Sequence, residues 1–252
     1  MNMLEAVYWD VDGTLADTEM FGHRVAFNLA FNEYKLDWIW NKEKYIELLN
    51  ISGGFNRIKY YADSINYSCS DDLMRSIHRK KQIFYKDILL NGNIPLRNGV
   101  KRLIEELNRF NVEQWIVTTS SKVALDSLLN STLSKHSHYF NGYVSYEDVI
   151  NHKPDPSAYF KAITQSRASI SKSIVIEDSI IGLQSAKSAG LNCLVTISPW
   201  LKFDSLCYTE ADSVVDNLGE NDYPSKVYIG PSIKNGVIDI EYLNKLINLN
   251  CK

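Results

Sequence analysis

Two aspartates, Asp10 and Asp12, close an apolar run in the stretch "VYWDVDGTLADTE", with Gly13-Thr14 directly behind them. Alternate residues on a strand point to one face, so these carboxylates stand close together on one side. Like charges at that range repel, and one of the pair keeps its proton unless a cation sits between them. A chain that needed only a turn would manage with Asp-Gly, so the second carboxylate calls for a chemical reason. Further groups with chemical potential recur at the ends of apolar runs, Thr118-Thr119-Ser120-Ser121 and Glu177-Asp178-Ser179, and between them "HKPDP" offers Lys153 pinned by Pro154. Each is commonplace alone, since Asp-Gly is usually a turn, Lys-Pro a surface corner and Glu-Asp before a helix an N-terminal cap. Four carboxylates converging on one site are untenable without a hard divalent cation. Oxygen ligands with nothing soft nearby to favour zinc make Mg²⁺ the natural choice. The lysine adds the positive charge that a phosphate dianion needs.

The elements that must position these groups are legible in the apolar pattern. "EAVYW", "EQWIVTT" ending near Thr119, "SIVI" before Glu177 and "NCLVTI" ending near Ile197 are expected as buried parallel strands, with a shorter fifth, "SVV", before Asp216. Helical patterns intervene in "VKRLIEELNRF", "KVALDSLL" and "SIIGLQSAKSAG", the last stopping on Gly190. Strand alternating with helix predicts an α/β fold with a doubly wound parallel sheet covered on both faces. In such sheets ligands collect outside the carboxyl ends of the strands, which is where the polar groups fall. Residues from about 20 to 92 break the rhythm with successive helices ("RVAFNLAFNEY", "KEKYIELL", "FNRIKYYADSI", "DLMRSIHRKKQIFYKDILL"). The expectation is a core of 1–17 and 95–252 with an inserted α-helical cap domain of 18–94.

Composition narrows the class. A chain of 252 residues, 45% hydrophobic and 23% charged, has the balance of an ordinary soluble protein. A net charge of -3 with no basic block argues against nucleic acid or an anionic membrane as partner. No apolar stretch is long enough to span a bilayer, and the first strand follows Met1 too closely for a signal peptide. Cys69, Cys193, Cys207 and Cys251 are scattered without metal-ligand spacing, and all four are read as reduced packing residues of a cytoplasmic protein. No stretch advertises an extra apolar face, which favours a monomer.

The motif set "DVDGT", the strand ending in Thr119, Lys153 and "EDS" resembles the four motifs of the haloacid dehalogenase (HAD) superfamily of phosphatases and phosphomutases, over nearly the whole chain. The resemblance implies a Rossmann-like core and assigns roles. Asp10 is implied as the nucleophile that forms an aspartyl-phosphate, and Asp12 as the general acid/base. Thr119, Ser120 and Lys153 are implied to hold the phosphoryl group. Asp178, assisted by Glu177, is implied to hold Mg²⁺ with Asp10 and the backbone carbonyl of Asp12. The roles suit phosphoryl transfer, which is mostly positioning and charge stabilisation, and a carboxylate nucleophile splits one hard displacement into two easier ones. For Asp12 two effects oppose each other: its like-charged neighbour raises its proton affinity and Mg²⁺ lowers it.

Asp12 also separates this chain from the dehalogenase and phosphonatase branches, which resemble the motif without the second acid. Beyond the four motifs, "LADTE", "HRVAFNLAF", "LDWIW", "LLNISGG" with Arg57, and "IEDSIIGLQSAKSAG" resemble the CbbY family of sugar-phosphate phosphatases. Membership implies action on xylulose-1,5-bisphosphate, a misfire product that inhibits the carbon-fixing enzyme Rubisco. It also implies that cap residues choose the substrate, with Glu19 and His23 placed to meet sugar hydroxyls. Arg57 is the candidate for gripping a second phosphate, against a reading as a solvated helix charge. Phe55-Asn56 departs from the charged residues that often precede this arginine. The cluster Arg75, His78, Arg79, Lys80 and Lys81 is read as a solvated helix face. The alternatives are a phosphomutase resembling β-phosphoglucomutase, a phosphatase of sugar monophosphates or phosphoglycolate, and a non-catalytic binding protein, against which the paired aspartates count.

Overall fold

The computed structural model describes residues 3–51, 53–92, 94–200 and 203–249. The chain divides into two compact units, Met1–Ala16 with Leu96–Lys252, and Asp17–Pro95. The first is built on a seven-stranded sheet: β1 (Ala6–Trp9), β2 (Glu113–Val117), β3 (Gly142–Val144), β4 (Ser173–Glu177), β5 (Asn192–Thr196), β6 (Ser213–Val215) and β7 (Val227–Ile229). The order is β3-β2-β1-β4-β5-β6-β7. Every pairing is parallel except that of β6 with β7. Trp9, the last residue of β1, pairs with Ile116 on one side and Ile176 on the other, so three strands end at one level. All four residues of β1 and all five of β4 are buried, as apolar runs covered on both faces require.

Helices α5 (Val100–Arg109), α6 (Lys122–Asn130), α7 (Ser157–Ser166), α8 (Ile180–Ser188) and α9 (Ile240–Ile247) accompany the sheet. Tyr8, Val117 and Val175 share one core with Tyr159 and Ala162 of α7 and Leu183 of α8. On the opposite face Gln114 accepts from the Trp9 indole and donates to the Ile104 carbonyl of α5. Ser121 and Ser179 accept from the first-turn amides of α6 and α8, the expected N-caps.

The foreseen strands exist, with small corrections: β2 stops at Val117, two residues before Thr119, and β4 runs on to include Glu177. Three-residue β3 and β7 are too short to show a period, and α7 and α9 were not anticipated behind the turn residues that precede them. Cys193 is buried in β5, but Cys69 is half-buried and Cys207 is exposed on a 3₁₀ turn, so the packing reading fails for Cys207. Cys251 lies outside the described residues. No described helix is long and apolar enough to cross a membrane.

The second unit holds a π-helical turn (Glu19–His23), then α1 (Arg24–Glu33), α2 (Lys42–Leu48), α3 (Gly54–Ser64) and α4 (Asp71–Leu90). Its core is aromatic. The Trp40 ring centroid lies 4.6 Å from Phe27 and 4.8 Å from Phe31, with Tyr61 edge-on at 5.5 Å. The solvated-face reading of the basic cluster holds for Arg75 and Arg79, which are exposed, and is corrected for Lys81. Met74, Ile77, Lys81, Tyr85 and Leu89 form the buried stripe of α4, at the three- and four-residue spacing of one helix face. Lys81 therefore turns inward, 3% exposed, with its ammonium 5.0 Å from the Phe27 ring centroid and 4.9 Å from that of Tyr85. Arg75 covers the Phe55 ring at 4.9 Å, and Lys80 pairs with Glu33 at 2.9 Å.

Candidate active site

The end of β1 hands its chain into a tight turn. Gly13 has φ +85°, a conformation that L side chains rarely adopt, and a Cβ there would collide with the carboxylate of Asp178. A second glycine does the same for Glu177: a Cβ on Gly182, in the first turn of α8, would overlap its carboxyl group. The two carboxylates thus occupy space that only glycine leaves open. Asp10, Glu177 and Asp178 each offer an oxygen within 4.8 Å of the others.

Lys153 ties this acidic group together. Its Nζ donates to Asp10 Oδ1 at 2.8 Å, to Glu177 Oε1 at 2.6 Å and to the Val117 carbonyl at 2.8 Å. Burial works against the ammonium, but Asp10 and Glu177 outweigh it and raise its pKa, so the lysine is charged. Tyr159 of α7 donates to the same Glu177 oxygen at 2.9 Å, and its ring lies 5.2 Å from the lysine nitrogen. Glu177 Oε2 accepts from the Asp178 amide at 3.2 Å and the Ser179 hydroxyl at 3.3 Å.

One lysine does not balance the acids. Burial, then the charge of Glu177, pushes the Asp10 pKa up to about 7, with Lys153 opposing. Burial, then Asp10 and Glu177, raises that of Asp178 well above the carboxylate range, with Arg97 and Lys153 opposing. Burial and mutual repulsion thus favour the protonated form of each unless another cation joins them. The donors are all hard oxygens, so a Mg²⁺ ion fits both the charge and the chemistry of the set.

The remaining site candidates fall into two places. Asp12 points its carboxylate to Ser120, whose hydroxyl donates to Oδ2, and is outside the Asp10–Glu177–Asp178 group. Thr119 follows the end of β2 with its side chain exposed, whereas its neighbour Thr118 is buried and accepts from the Ser120 amide at 3.0 Å. Glu19, His23 and Arg57 belong to the helical unit and form a network there. Tyr45 donates to Glu19 Oε2 at 2.6 Å, and Arg57 Nη1 reaches the Tyr45 oxygen at 3.2 Å and Glu19 at 3.5 Å. Arg57 Nε is fixed on the Ile51 carbonyl at 2.9 Å, so this arginine is held in place rather than solvated. The His23 ring stacks on Tyr85 at 3.9 Å, and its Nδ1 lies 2.7 Å from Lys81 Nζ. Burial, then Lys81, Arg57 and His78, drives its pKa well below the usual histidine value. The ring is therefore neutral, with Nδ1 accepting from the ammonium and the proton on Nε2.

Tyr159 and Lys81 are among the residues that the sequence reading missed. Tyr159 was hidden because α7 was; its signal was the apolar spacing of Ala158, Tyr159 and Ala162 just after "HKPDP". Lys81 was masked by its basic neighbours, although it stands four residues from both Ile77 and Tyr85.

Comparison with known proteins identifies the family. A family model described as haloacid dehalogenase-like hydrolase matches residues 7–196. The chain is 33% identical to protein CbbY of Rhodobacter capsulatus over 216 residues, which span 85% of this chain and 94% of that protein. Among solved structures it is similar to CbbY from Rhodobacter sphaeroides in complex with phosphate, with a TM-score of 0.70 and 32% identity over 85% of this chain and 95% of that one. A variant of that CbbY in complex with xylulose-(1,5)bisphosphate matches with a TM-score of 0.69 and 31% identity over the same shares. Likeness of sequence and fold over nearly the full length of these proteins makes the chain a member of the haloacid dehalogenase-like hydrolases and, within them, a phosphoric monoester hydrolase of the CbbY-like branch.

Proposed function

We propose that the chain is a Mg²⁺-dependent phosphatase acting on xylulose-1,5-bisphosphate, a small cytoplasmic sugar phosphate, through an aspartyl-phosphate on Asp10. The observation that carries the substrate is the likeness, over 85% of this chain, to a CbbY variant solved with xylulose-(1,5)bisphosphate.

In this reading an oxygen of Asp10 attacks phosphorus, the P–O bond to the sugar breaks, and Asp12 gives its proton to the leaving alkoxide. Water then attacks the aspartyl-phosphate and loses a proton to Asp12, releasing inorganic phosphate and restoring Asp10. Lys153, fixed by Glu177 and the Val117 carbonyl, orients Asp10 and offsets charge on the phosphoryl oxygens. Thr119 and Ser120 hold the phosphoryl group, and Ser120 also holds the Asp12 carboxylate. Asp10, Asp178 and the Asp12 carbonyl, with Glu177 behind them, hold the metal. When bound, Mg²⁺ supplies positive charge that keeps the carboxylates ionised and lowers repulsion between Asp10 and the phosphate. Glu19, His23 and Arg57 select the sugar, and Arg57 takes the second phosphate through the Nη2 donors, which make no hydrogen bond among the described residues.

The test is inorganic phosphate release from xylulose-1,5-bisphosphate with Mg²⁺ and with chelator, against a panel of sugar monophosphates and phosphoglycolate, with Asp10→Asn as blank. Preference for the bisphosphate and loss of turnover with chelator are expected. Highest turnover on a monophosphate would sink the substrate, and an isomerised sugar phosphate in place of free phosphate would make the chain a mutase.

A further inference from the structure

One guanidinium in the sheet unit gathers four backbone carbonyls from the strand ends that border the site. Arg97 is 9% exposed. Its Nη1 donates to the Gly13 carbonyl at 2.5 Å and the Thr196 carbonyl at 2.6 Å. Its Nη2 donates to those of Ile197 and Asp216, both at 2.8 Å. All four N–H groups of the fork are thereby directed at main chain, and the residue's own amide donates to the Leu15 carbonyl at 3.0 Å. The acceptors belong to three segments distant in sequence: the turn after β1, the end of β5 and the end of β6.

Gly13 is the acceptor that matters for chemistry. It follows Asp12 directly, Asp10 lies three residues before it, and the Asp178 carboxylate fills the space where its Cβ would be. A shift of this peptide would move the nucleophile, the acid and the seat of Asp178 together. We infer that Arg97 is a positioning residue of the phosphatase centre, pinning the turn that carries Asp10 and Asp12 to the ends of β5 and β6. The inference rests on the roles assigned above to Asp10 and Asp12. A lysine cannot replace the fork, because an ammonium is a single point that does not span four carbonyls.

The same unit contains an internal standard. Arg102 also spends its guanidinium on backbone, donating to the Gly219 carbonyl at 3.2 Å, Leu218 at 2.9 Å and Ile238 at 2.7 Å, and it pairs with Glu106 at 3.0 Å. None of those carbonyls adjoins a residue of the site. An arginine that merely holds the fold should behave like Arg102, and one that positions the chemistry should not.

The experiment compares Arg97→Lys and Arg97→Gln with Arg102→Lys in the full chain with Mg²⁺, using p-nitrophenyl phosphate, which reports the centre whichever sugar phosphate is natural. Activity is expressed per folded molecule, with the folded fraction read by circular dichroism, so that partial unfolding of one variant does not decide the outcome. Both Arg97 variants are expected to lose kcat by about 10- to 100-fold, the scale of a misplaced reacting group, with KM within about threefold. Arg102→Lys is expected to lower the thermal midpoint comparably and leave kcat within about twofold. The inference is overturned if the Arg97 variants, once corrected, keep kcat within that same margin or lose no more than Arg102→Lys does. Asp10→Asn separates the two layers. If it stays active, the reading of the site falls and this inference falls with it; if it is inactive while the Arg97 variants turn over normally, the inference falls alone.

Discussion

The two units bury charge in different ways. At the strand ends of the sheet unit Asp10, Glu177 and Asp178 crowd together around one lysine, which pairs with Asp10 and Glu177, and burial, then the neighbouring carboxylates, raises the proton affinities of Asp10 and Asp178. In the helical unit Glu19 is met by Tyr45 and Arg57, and Lys81 by the neutral His23 ring and two aromatic faces. The first arrangement is electrostatically incomplete as the chain alone makes it, and is suited to receive a cation and a phosphoryl group. The second is nearly complete, with polar groups held at fixed angles by an aromatic shell, which suits discrimination between ligands more than bond-making. Incompleteness at the strand ends and completion among the helices are the physical basis for assigning chemistry to one and choice to the other.

The largest effect should come from easing the crowding itself. Asp178→Asn is expected to cut turnover by about 10³-fold or more, because a metal-holding carboxylate is gone. It should also raise the thermal midpoint of metal-free protein by about 2–5 °C, since burying an acid whose proton affinity is raised costs folding free energy at neutral pH that a neutral amide does not. Phosphate release and thermal denaturation in chelator read the two halves, and a lowered midpoint would break the contrast drawn above. Next in size is Arg57→Lys, which keeps the charge and loses the fork. KM for xylulose-1,5-bisphosphate should rise about 10- to 100-fold with kcat within about threefold, and p-nitrophenyl phosphate should be indifferent. A fall in kcat alone would move Arg57 from choice to chemistry.

How much of this was legible in the sequence follows the same division. Asp10, Glu177 and Asp178 could be read because each ends a strand or lies just beyond one, where an apolar run gives way to turn residues, and Lys153 because Pro154 follows it in "HKPDP" between two such runs. Their order along the chain then carried the family resemblance. The seat cut by Gly13 for Asp178 was not legible, since a close approach between residues more than a hundred positions apart leaves no local pattern, and that cut by Gly182 for Glu177 depends on how the first turn of α8 folds back on the end of β4. Arg97 escaped for the same reason, its partners lying on three segments. In the helical unit the helices were foreseen, but Lys81 was assigned to solvent on the strength of its neighbours in sequence, whereas its place in a three- and four-residue spacing decided the matter.

The smallest expected effect sharpens the contrast from the helical side. Lys81→Met retains a long side chain between Phe27 and Tyr85 while removing the cation beside His23. With that positive neighbour gone, protonation of the ring becomes easier, so the His23 pKa should rise toward the ordinary 6.5. An NMR titration of the imidazole reads this directly, and the thermal midpoint should move by no more than about 2–4 °C, because a buried charge exchanged for an apolar group of similar volume is often near neutral. An unchanged titration would mean that burial, with Arg57 and His78, sets the ring's state without Lys81.

The edges of the sheet bear on the chain's life in a crowded solution. β3 closes one side with three residues and β7 the other with three more, run in the opposite direction and ended by Gly230 at φ +109°. Exposed, long, flat edges template strand addition between molecules and seed fibrils. Here an incoming strand meets at most a few rungs of ladder before the backbone turns away, so the edges offer little template for strand addition. The buried, β-branched centre that makes phosphoryl transfer possible is the kind of sequence most prone to aggregate when unpaired, and two short terminal strands keep it out of reach.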